Sequence, residues 1–278
     1  MSNEYLTKRL LQYQGSLFSS VDKKTLALIK RYEVIHKELT TELASLYAKH
    51  GVDGALPLTE LHKYGRLKTL DAQLVNVGRS LGAAEAAFLS SELPELYQAS
   101  RIAVGQVLGV EFTRLPAARI NKLMEYPWSG ANFSDRIWDN KRLLVKGLRE
   151  EIIRGSVRGS SFRTVTERLG HRLQGSAAAT RRLVRTESMF FINRSQLDTF
   201  QEQGVERLEF IAAYDDRTCE DCGDLDGQIF ELGREEQLPL HPNCRCTYAP
   251  VTDSTWKGGT NNASIQAAID GGDDEPPE

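Results

Sequence analysis

"CEDC" at residues 219–222 and "HPNCRC" at residues 241–246 contain all four cysteines of the chain. A Cys-x-x-Cys turn directs two sulfur atoms at one point, and His241-x-x-Cys244 offers the same spacing with one nitrogen ligand. Two such turns, held together, can form a tetrahedral zinc site, and a structural metal stabilises modules that are too small for a core of their own. We predict one closed structural zinc (Zn²⁺), with Cys219 and Cys222 as two ligands and the other two drawn from His241, Cys244 and Cys246.

Two other states of these thiols stay open at this stage. They could form two disulfides or remain reduced without a metal. The N-terminal stretch has no apolar run typical of a signal peptide, which favours a cytosolic setting where disulfides are rare. A redox-active Cys-x-x-Cys would need a thioredoxin-like βαβ setting, which the sequence does not provide.

Helical residue spacing dominates residues 2–203. An apolar stripe of Leu28, Ile35, Leu39 and Leu43 recurs at helical intervals, so it could pack within its own bundle or against a partner helix. The prediction for residues 1–125 is an elongated helical region. Further signals predict a new helical run from Pro94, an N-cap at Ser134, a cap at Ser160 or Ser161, and a helix over 178–204 that ends at Gly204.

The pattern changes after residue 204. Residues 225–232 contain an Asp-Gly pair between apolar residues, which predicts a hairpin, and residues 247–251 predict a last short strand. We therefore predict an α+β protein, with a mainly helical region followed by a small β-rich, zinc-stapled module at 205–252. The glycine-, proline- and acid-rich residues 253–278 predict a flexible acidic tail.

Charge is distributed unevenly along the chain. Between Arg136 and Arg185 there are thirteen Lys or Arg and four Asp or Glu, a local charge of +9 in a chain of net charge −3. Such a surface is either solvated or in contact with DNA or an acidic partner. The residues predicted for this contact are Arg136, Lys141, Arg142, Lys146, Arg149, Arg154, Arg158 and Arg163.

Catalytic signals are missing from the sequence. The serines and histidines form no recognisable nucleophile set, and no glycine-rich loop could cradle a phosphate. Arg185 and Glu187 lie among apolar residues two positions apart, so they do not share a helix face, and we predict structural polar contacts for both. No apolar stretch is long enough to span a membrane. We predict that the protein is not an enzyme.

Four segments resemble the phage Mu F-like head morphogenesis family, the minor head proteins of tailed bacteriophages. They are "LREEIIRGSVRGSSF", "ATRRLVRTESMFFINRSQ", "YDDRTCEDCGDLDGQIF" and "LPLHPNCRCTYAPV", and the resemblance covers about residues 126–252. The family's cysteine and histidine elements correspond to Cys219, Cys222, His241, Cys244 and Cys246. Its Arg-Thr-Glu helix corresponds to Arg185, Thr186 and Glu187.

The resemblance implies a minor capsid protein inside the virion head near the portal vertex, and in the host cytoplasm during assembly. Its expected partners are the portal protein, the major capsid or scaffold protein, and packaged double-stranded DNA bound without sequence preference. It would assist procapsid assembly and DNA packaging or ejection, with residues 1–125 as a portal or capsid contact. The alternatives are a zinc-containing nuclease or transferase that acts on nucleic acid, and a host-side DNA-binding regulator.

Overall fold

A computed structural model describes residues 3–110, 114–213 and 218–252. Its helices are α1 (Asn3–His50), α2 (Leu58–His62), α3 (Arg66–Leu108), α4 (Ala117–Glu125), α5 (Phe133–Val157), α6 (Phe162–Glu202) and α7 (Glu220–Leu225), and its strands are β1 (Arg207–Ile211), β2 (Ile229–Glu231) and β3 (Thr247–Pro250). The predicted class, mainly helical with a small β-rich module, is confirmed. Across the described residues, no helix is both long enough and apolar enough to cross a membrane.

The three strands form one antiparallel sheet in the order β2-β1-β3. Leu208 at the centre of the sheet pairs with Phe230 on one side and Pro250 on the other. The last strand was predicted correctly, but the Asp-Gly hairpin was not. Gly227, with φ +75°, follows α7 instead of joining two strands, and its N–H donates to the Phe210 carbonyl at 2.9 Å.

The chain forms two compact units, each assembled from separated segments. Within the described residues, unit 1 comprises residues 3–21, 92–123 and 185–252, and unit 2 comprises residues 22–91 and 124–184. The boundary predicted between residues 125 and 126 lies two residues after one change from unit 1 to unit 2, and the segments on either side of it contribute to both units. The acidic tail predicted at 253–278 lies outside the described residues.

The core of unit 1 joins the beginning of the chain to its C-terminal module. Leu6 and Leu10 of α1 belong to the same buried cluster as Phe210 of β1 and Tyr248 of β3. The Asn3 side-chain Oδ1 accepts hydrogen bonds from the Thr252 N–H at 3.1 Å and from the Thr252 hydroxyl at 2.7 Å. Residues almost 250 positions apart therefore complete one core.

The core of unit 2 buries the apolar stripe of α1. Leu28, Ile35, Leu39 and Leu43 are at most 8% exposed, and the last three pack in one cluster with leucines of α3, α5 and α6. The stripe therefore packs within its own unit. Of the two alternatives that the sequence left open, the partner helix is thus excluded for these side chains, because helical periodicity shows that a face is covered without showing by what.

Helix α3 continues through Pro94, where the sequence predicted a new helical run. Proline normally breaks a helix because it removes one backbone hydrogen bond and clashes with the preceding turn. Here Leu93 and Leu96 beside it are buried, and the Ser195 hydroxyl of α6 donates to the Tyr97 carbonyl at 2.7 Å. Tertiary packing thus holds the helix across the proline.

The helix starts differ in part from those predicted. The N-cap of α5 is Asn132, whose side chain accepts from the Asp135 N–H at 3.0 Å, and not Ser134. Ser161 does cap α6, because its hydroxyl accepts from the Thr164 N–H at 3.3 Å. Helix α6 begins at Phe162, well before the predicted residue 178, and ends at Glu202, two residues before the predicted end at Gly204.

A buried ionic cluster lies in unit 2. The Lys141 ammonium is 2.8 Å from Glu85 Oε1, and both side chains are at most 3% exposed. The Tyr32 hydroxyl donates to the same carboxylate at 2.7 Å, and Thr180 lies 3.0 Å from it. Burial lowers the pKa of Lys141 and raises that of Tyr32, while Glu85 partly offsets the effect on the lysine. Lys141 is therefore not available for the DNA or partner contact that we predicted for it.

Removing one member of this cluster should be costly. We expect Lys141→Met to lower the free energy of unfolding by about 3–5 kcal/mol, because Glu85 would remain buried as an uncompensated charge. The double variant Lys141→Met, Glu85→Gln should recover much of this loss. Denaturant unfolding of both variants measures the effect, and equal stability of the single variant and the original protein would contradict it.

Candidate metal centre

The first cysteine turn is the beginning of helix α7. Cys219 is the N-cap residue, and its sulfur accepts from the Cys222 N–H at 3.4 Å. The Thr218 hydroxyl donates to the Ala213 carbonyl at 2.7 Å and fixes the chain just before the turn. A single helical turn therefore places both sulfur atoms on the same side.

The second turn, at residues 241–246, presents an imidazole to these sulfurs. The Cys244 N–H donates to the His241 carbonyl at 3.1 Å and closes the turn. His241 Nδ1 lies 3.0 Å from the Pro242 carbonyl, which can only accept, so Nδ1 carries the proton. Nε2 faces Cys219 and Cys222, 3.3 Å from each sulfur, and in a neutral imidazole its lone pair would be directed at them. Metal-binding histidines commonly have this arrangement.

The five candidate ligands form two overlapping triads. One contains Cys219, Cys222 and His241, and the other contains Cys222, Cys244 and Cys246; within each triad the ligand atoms lie within 4.8 Å of one another. The sulfurs of Cys222 and Cys244 are 3.9 Å apart, close to the roughly 3.8 Å between sulfurs in a tetrahedral zinc site. All four cysteines are free thiols, so this structure does not contain the disulfide alternative. The cluster could hold a metal ion.

Burial and mutual hydrogen bonding separate the pKa values of the thiols. The Cys246 thiol donates to Cys244 and lowers the Cys244 pKa to about 5. Burial, followed by a hydrogen bond with Cys219, raises the Cys222 pKa to about 12. The same bond with Cys244 raises the pKa of Cys246. The buried thiols therefore lose a first proton more readily than further protons. A bound cation would compensate for the negative charge of the additional thiolates.

Polar side chains of helix α6 form hydrogen bonds with the backbone at the end of the second turn and in β3. The Asn193 amide donates to the Cys246 carbonyl at 3.1 Å, and the Gln196 amide donates to the Tyr248 carbonyl at 2.6 Å. The Thr247 hydroxyl bonds to both side chains. Sequence reasoning missed Asn193 and Gln196. Their signal was a pair of amides, three positions apart, directly after the apolar run at residues 189–192.

Arg185 and Glu187 lie on the same helix as these amides. The Arg185 guanidinium lies 5.8 Å from the centre of the Phe18 ring and helps to line a cavity of about 410 Å³ that reaches the four cysteines and His241. Glu187 is only 1% exposed. Both residues therefore pack inside unit 1, in line with the structural role we predicted, which remains a prediction.

The predicted basic contact residues belong to unit 2, and most of them are paired with acids. Arg136 donates to the Ser129 carbonyl and lies over the Trp128 ring, whereas Arg158 is exposed. The other ion pairs are Arg142–Asp139, Lys146–Glu150, Arg149–Asp71, Arg154–Glu151 and Arg163–Glu167. Neighbouring acidic side chains therefore partly neutralise the local charge of +9.

Comparison with known proteins supports the family resemblance. Residues 146–249 match the family described as Phage Mu protein F like protein. The matched segment includes α6, both cysteine turns and all of the sheet except Pro250. No curated protein and no solved structure matches the chain significantly. The resemblance to the Mu F-like head morphogenesis family is therefore confirmed for this segment.

The overlap of the two triads predicts unequal effects of cysteine substitutions. Cys222→Ser should abolish binding of added zinc, because Cys222 belongs to both triads. Cys219→Ser should weaken binding strongly, whereas a small effect of Cys246→Ser would assign His241 and Cys244 as the remaining ligands. Elemental analysis and competition with a chromogenic chelator measure zinc binding, with circular dichroism as a control for folding. Full zinc binding by Cys222→Ser would contradict the assignment.

Proposed function

We propose that this protein is a minor head protein of a tailed phage or prophage, which associates with the portal protein inside the head. In this role it assists procapsid assembly and DNA packaging or ejection. The match of residues 146–249 to the Phage Mu protein F-like family carries the proposal. Its location would be the virion, near the portal vertex, and the host cytoplasm during assembly. The major capsid or scaffold protein is its second expected partner.

The metal in this proposal is zinc, and its role is structural. Thiolate and imidazole ligands suit zinc, and a bound ion would stabilise the turns around a sheet of only three short strands. When bound, zinc would supply charge compensation for the buried thiolates. The protein's own contribution is to hold the sulfur atoms and His241 Nε2 close together before the ion binds.

A nuclease or transferase is the rival class, and the geometry supports it less well. A hydrolytic site needs an open metal position and a nearby general base. His241 directs Nε2 at two sulfurs and occupies Nδ1 with a carbonyl, so it is placed as a ligand and not as a base. The four other histidines, His36, His50, His62 and His171, belong to unit 2, whereas the cysteines belong to unit 1.

We propose that the portal protein contacts a groove between α3 and α5 in unit 2. The apolar stripe of α1 is no longer a candidate for this contact, because it is buried. Its cavity of about 780 Å³ has a largely apolar floor that includes Val75, Trp138 and Val145, and cations that include Arg79, Arg142 and Lys146 at its rim. Val75 is 46% exposed. Apolar side chains flanked by cations fit a portal segment that carries apolar side chains among acidic ones.

We expect the protein to co-purify with the portal protein and to occur in particles in far fewer copies than the major capsid protein. Val75→Glu should reduce portal capture at least about tenfold, because it places a carboxylate among the apolar contacts. Leu143→Glu is the matched control, since Leu143 is 68% exposed on α5 and does not line the groove. Immunoblots of purified particles and quantitative pull-downs with full-length protein measure both outcomes.

Each result bears on a different part of the proposal. Equal portal capture by Val75→Glu and the original protein would remove the groove assignment. If the portal protein is not captured and the protein is absent from purified particles, the virion function fails. The enzyme alternative then becomes the better explanation.

The exposed basic residues of unit 2 are proposed to contact packaged DNA through its phosphates. Arg142, Lys146 and Arg163 are at least 72% exposed, and their acidic partners are three or four residues away on the same helix. Such exposed pairs contribute little to stability, so a phosphate can replace the carboxylate at low cost. Arg142 and Lys146 also line the proposed portal groove, so the portal segment and DNA would use these two cations in turn and not together.

Binding to duplex DNA should be independent of sequence and should weaken steeply with salt. Replacing Arg142, Lys146 and Arg163 by Gln should reduce the slope of log K against log [salt] by about three, at roughly 0.9 per lost phosphate contact. The control replaces the exposed Lys23, Lys30 and Lys37 of α1, which lie outside the basic segment. Fluorescence anisotropy measures both slopes, and an absence of binding at low salt would refute DNA contact.

A further inference from the structure

We infer that Thr186 and Asn193 of helix α6 are positioning residues for the metal site. They hold the second cysteine turn in the conformation that presents its ligands. The inference rests on the proposed metal site, and it assigns a specific task to a helix that contributes none of the candidate ligands.

Two hydrogen bonds from opposite ends of the turn carry the inference. The Asn243 N–H donates to the Thr186 hydroxyl oxygen at 3.1 Å, and the Cys246 carbonyl accepts from the Asn193 amide at 3.1 Å. The two helical residues are seven positions apart and so lie on one face of α6, about two turns apart. Cys244, a candidate ligand, lies between the two anchored backbone groups, and His241 lies just before them.

The hydrogen bonds from α6 continue beyond the second cysteine turn into β3. Gln196, three residues after Asn193, donates to the Tyr248 carbonyl at 2.6 Å. From Thr186 to Gln196 the helix rises about 15 Å, at 1.5 Å per residue. Thr186, Asn193 and Gln196 thus bind Asn243, Cys246 and Tyr248 in the same order along the helix and along the chain.

The backbone of the turn needs such support. Asn243 has φ +65°, a left-handed conformation that asparagine adopts more readily than most residues but that still needs a surrounding structure to hold it. Its N–H is the group anchored by Thr186, which is only 5% exposed. Without the threonine oxygen, the turn loses the contact that fixes this residue, and His241 and Cys244 on either side of it are less well placed.

The matched tests are Thr186→Val, Thr186→Ser and Thr199→Val in the full-length protein. Thr186→Val removes the acceptor and should weaken zinc binding about 10- to 100-fold, the range typical for residues that orient metal ligands. Thr186→Ser keeps an oxygen and should retain the original affinity. Asn193→Leu, which removes the second anchor, should weaken binding as Thr186→Val does. Competition with a chromogenic chelator measures each dissociation constant.

Thr199→Val separates positioning from simple stability. Thr199 is fully buried on the same helix, but its hydroxyl donates to the Ser195 carbonyl of α6 itself. It should lower the denaturation midpoint of the metal-free protein as Thr186→Val does, without changing zinc affinity. Equal zinc affinities for Thr186→Val and Thr199→Val would overturn the inference while leaving the metal site intact. Absence of zinc binding by the original protein would overturn the metal site and the inference together.

Discussion

The hydrogen bonds between buried polar side chains of α6 and the backbone of residues 243–248 are the constraint on which the C-terminal module depends. Strand β3 is an edge of the sheet, and an edge strand inside a protein must satisfy its outward-facing backbone groups. Asn193 and Gln196 do this for the carbonyls of Cys246 and Tyr248. Because Cys246 directly precedes β3, the same bonds that secure the sheet also fix one end of the ligand-bearing turn.

Much of the candidate metal centre could be predicted from the sequence because its determinants are local. The spacing in Cys219-x-x-Cys222 and His241-x-x-Cys244 directs ligand atoms to one side of a tight turn whatever the rest of the chain does. The supporting residues could not be predicted in the same way. Thr186 and Asn193 meet the turn only after more than fifty intervening residues have folded, and nothing in their own neighbourhood identifies the backbone groups they bind.

The fold shows the same division between local and distant determinants. Helical periodicity correctly identified the buried face of α1, but it could not show that α3, α5 and α6 cover Ile35, Leu39 and Leu43. Lys141 appeared as one more cation in a basic segment, because its counter-ion, Glu85, lies on a different helix. The net charge of a sequence segment therefore differs from the net charge of the surface that it forms. Asp71 likewise lies far from Arg149 in sequence, yet its Oδ1 is 3.0 Å from Arg149 Nε.

The bond between Asn3 and Thr252 has a consequence for how the protein is made. Unit 1 needs Leu6 and Leu10 from the start of the chain and Tyr248 from near its described end, so its core cannot close until the intervening residues have left the ribosome. At about 5–20 residues per second, the first turns of α1 wait roughly 10–50 s for their partners. During that time their leucines are exposed to chaperones and to aggregation. A chain terminated before β3 lacks Tyr248 and cannot bury them in this core, so the fold itself distinguishes finished copies from incomplete ones.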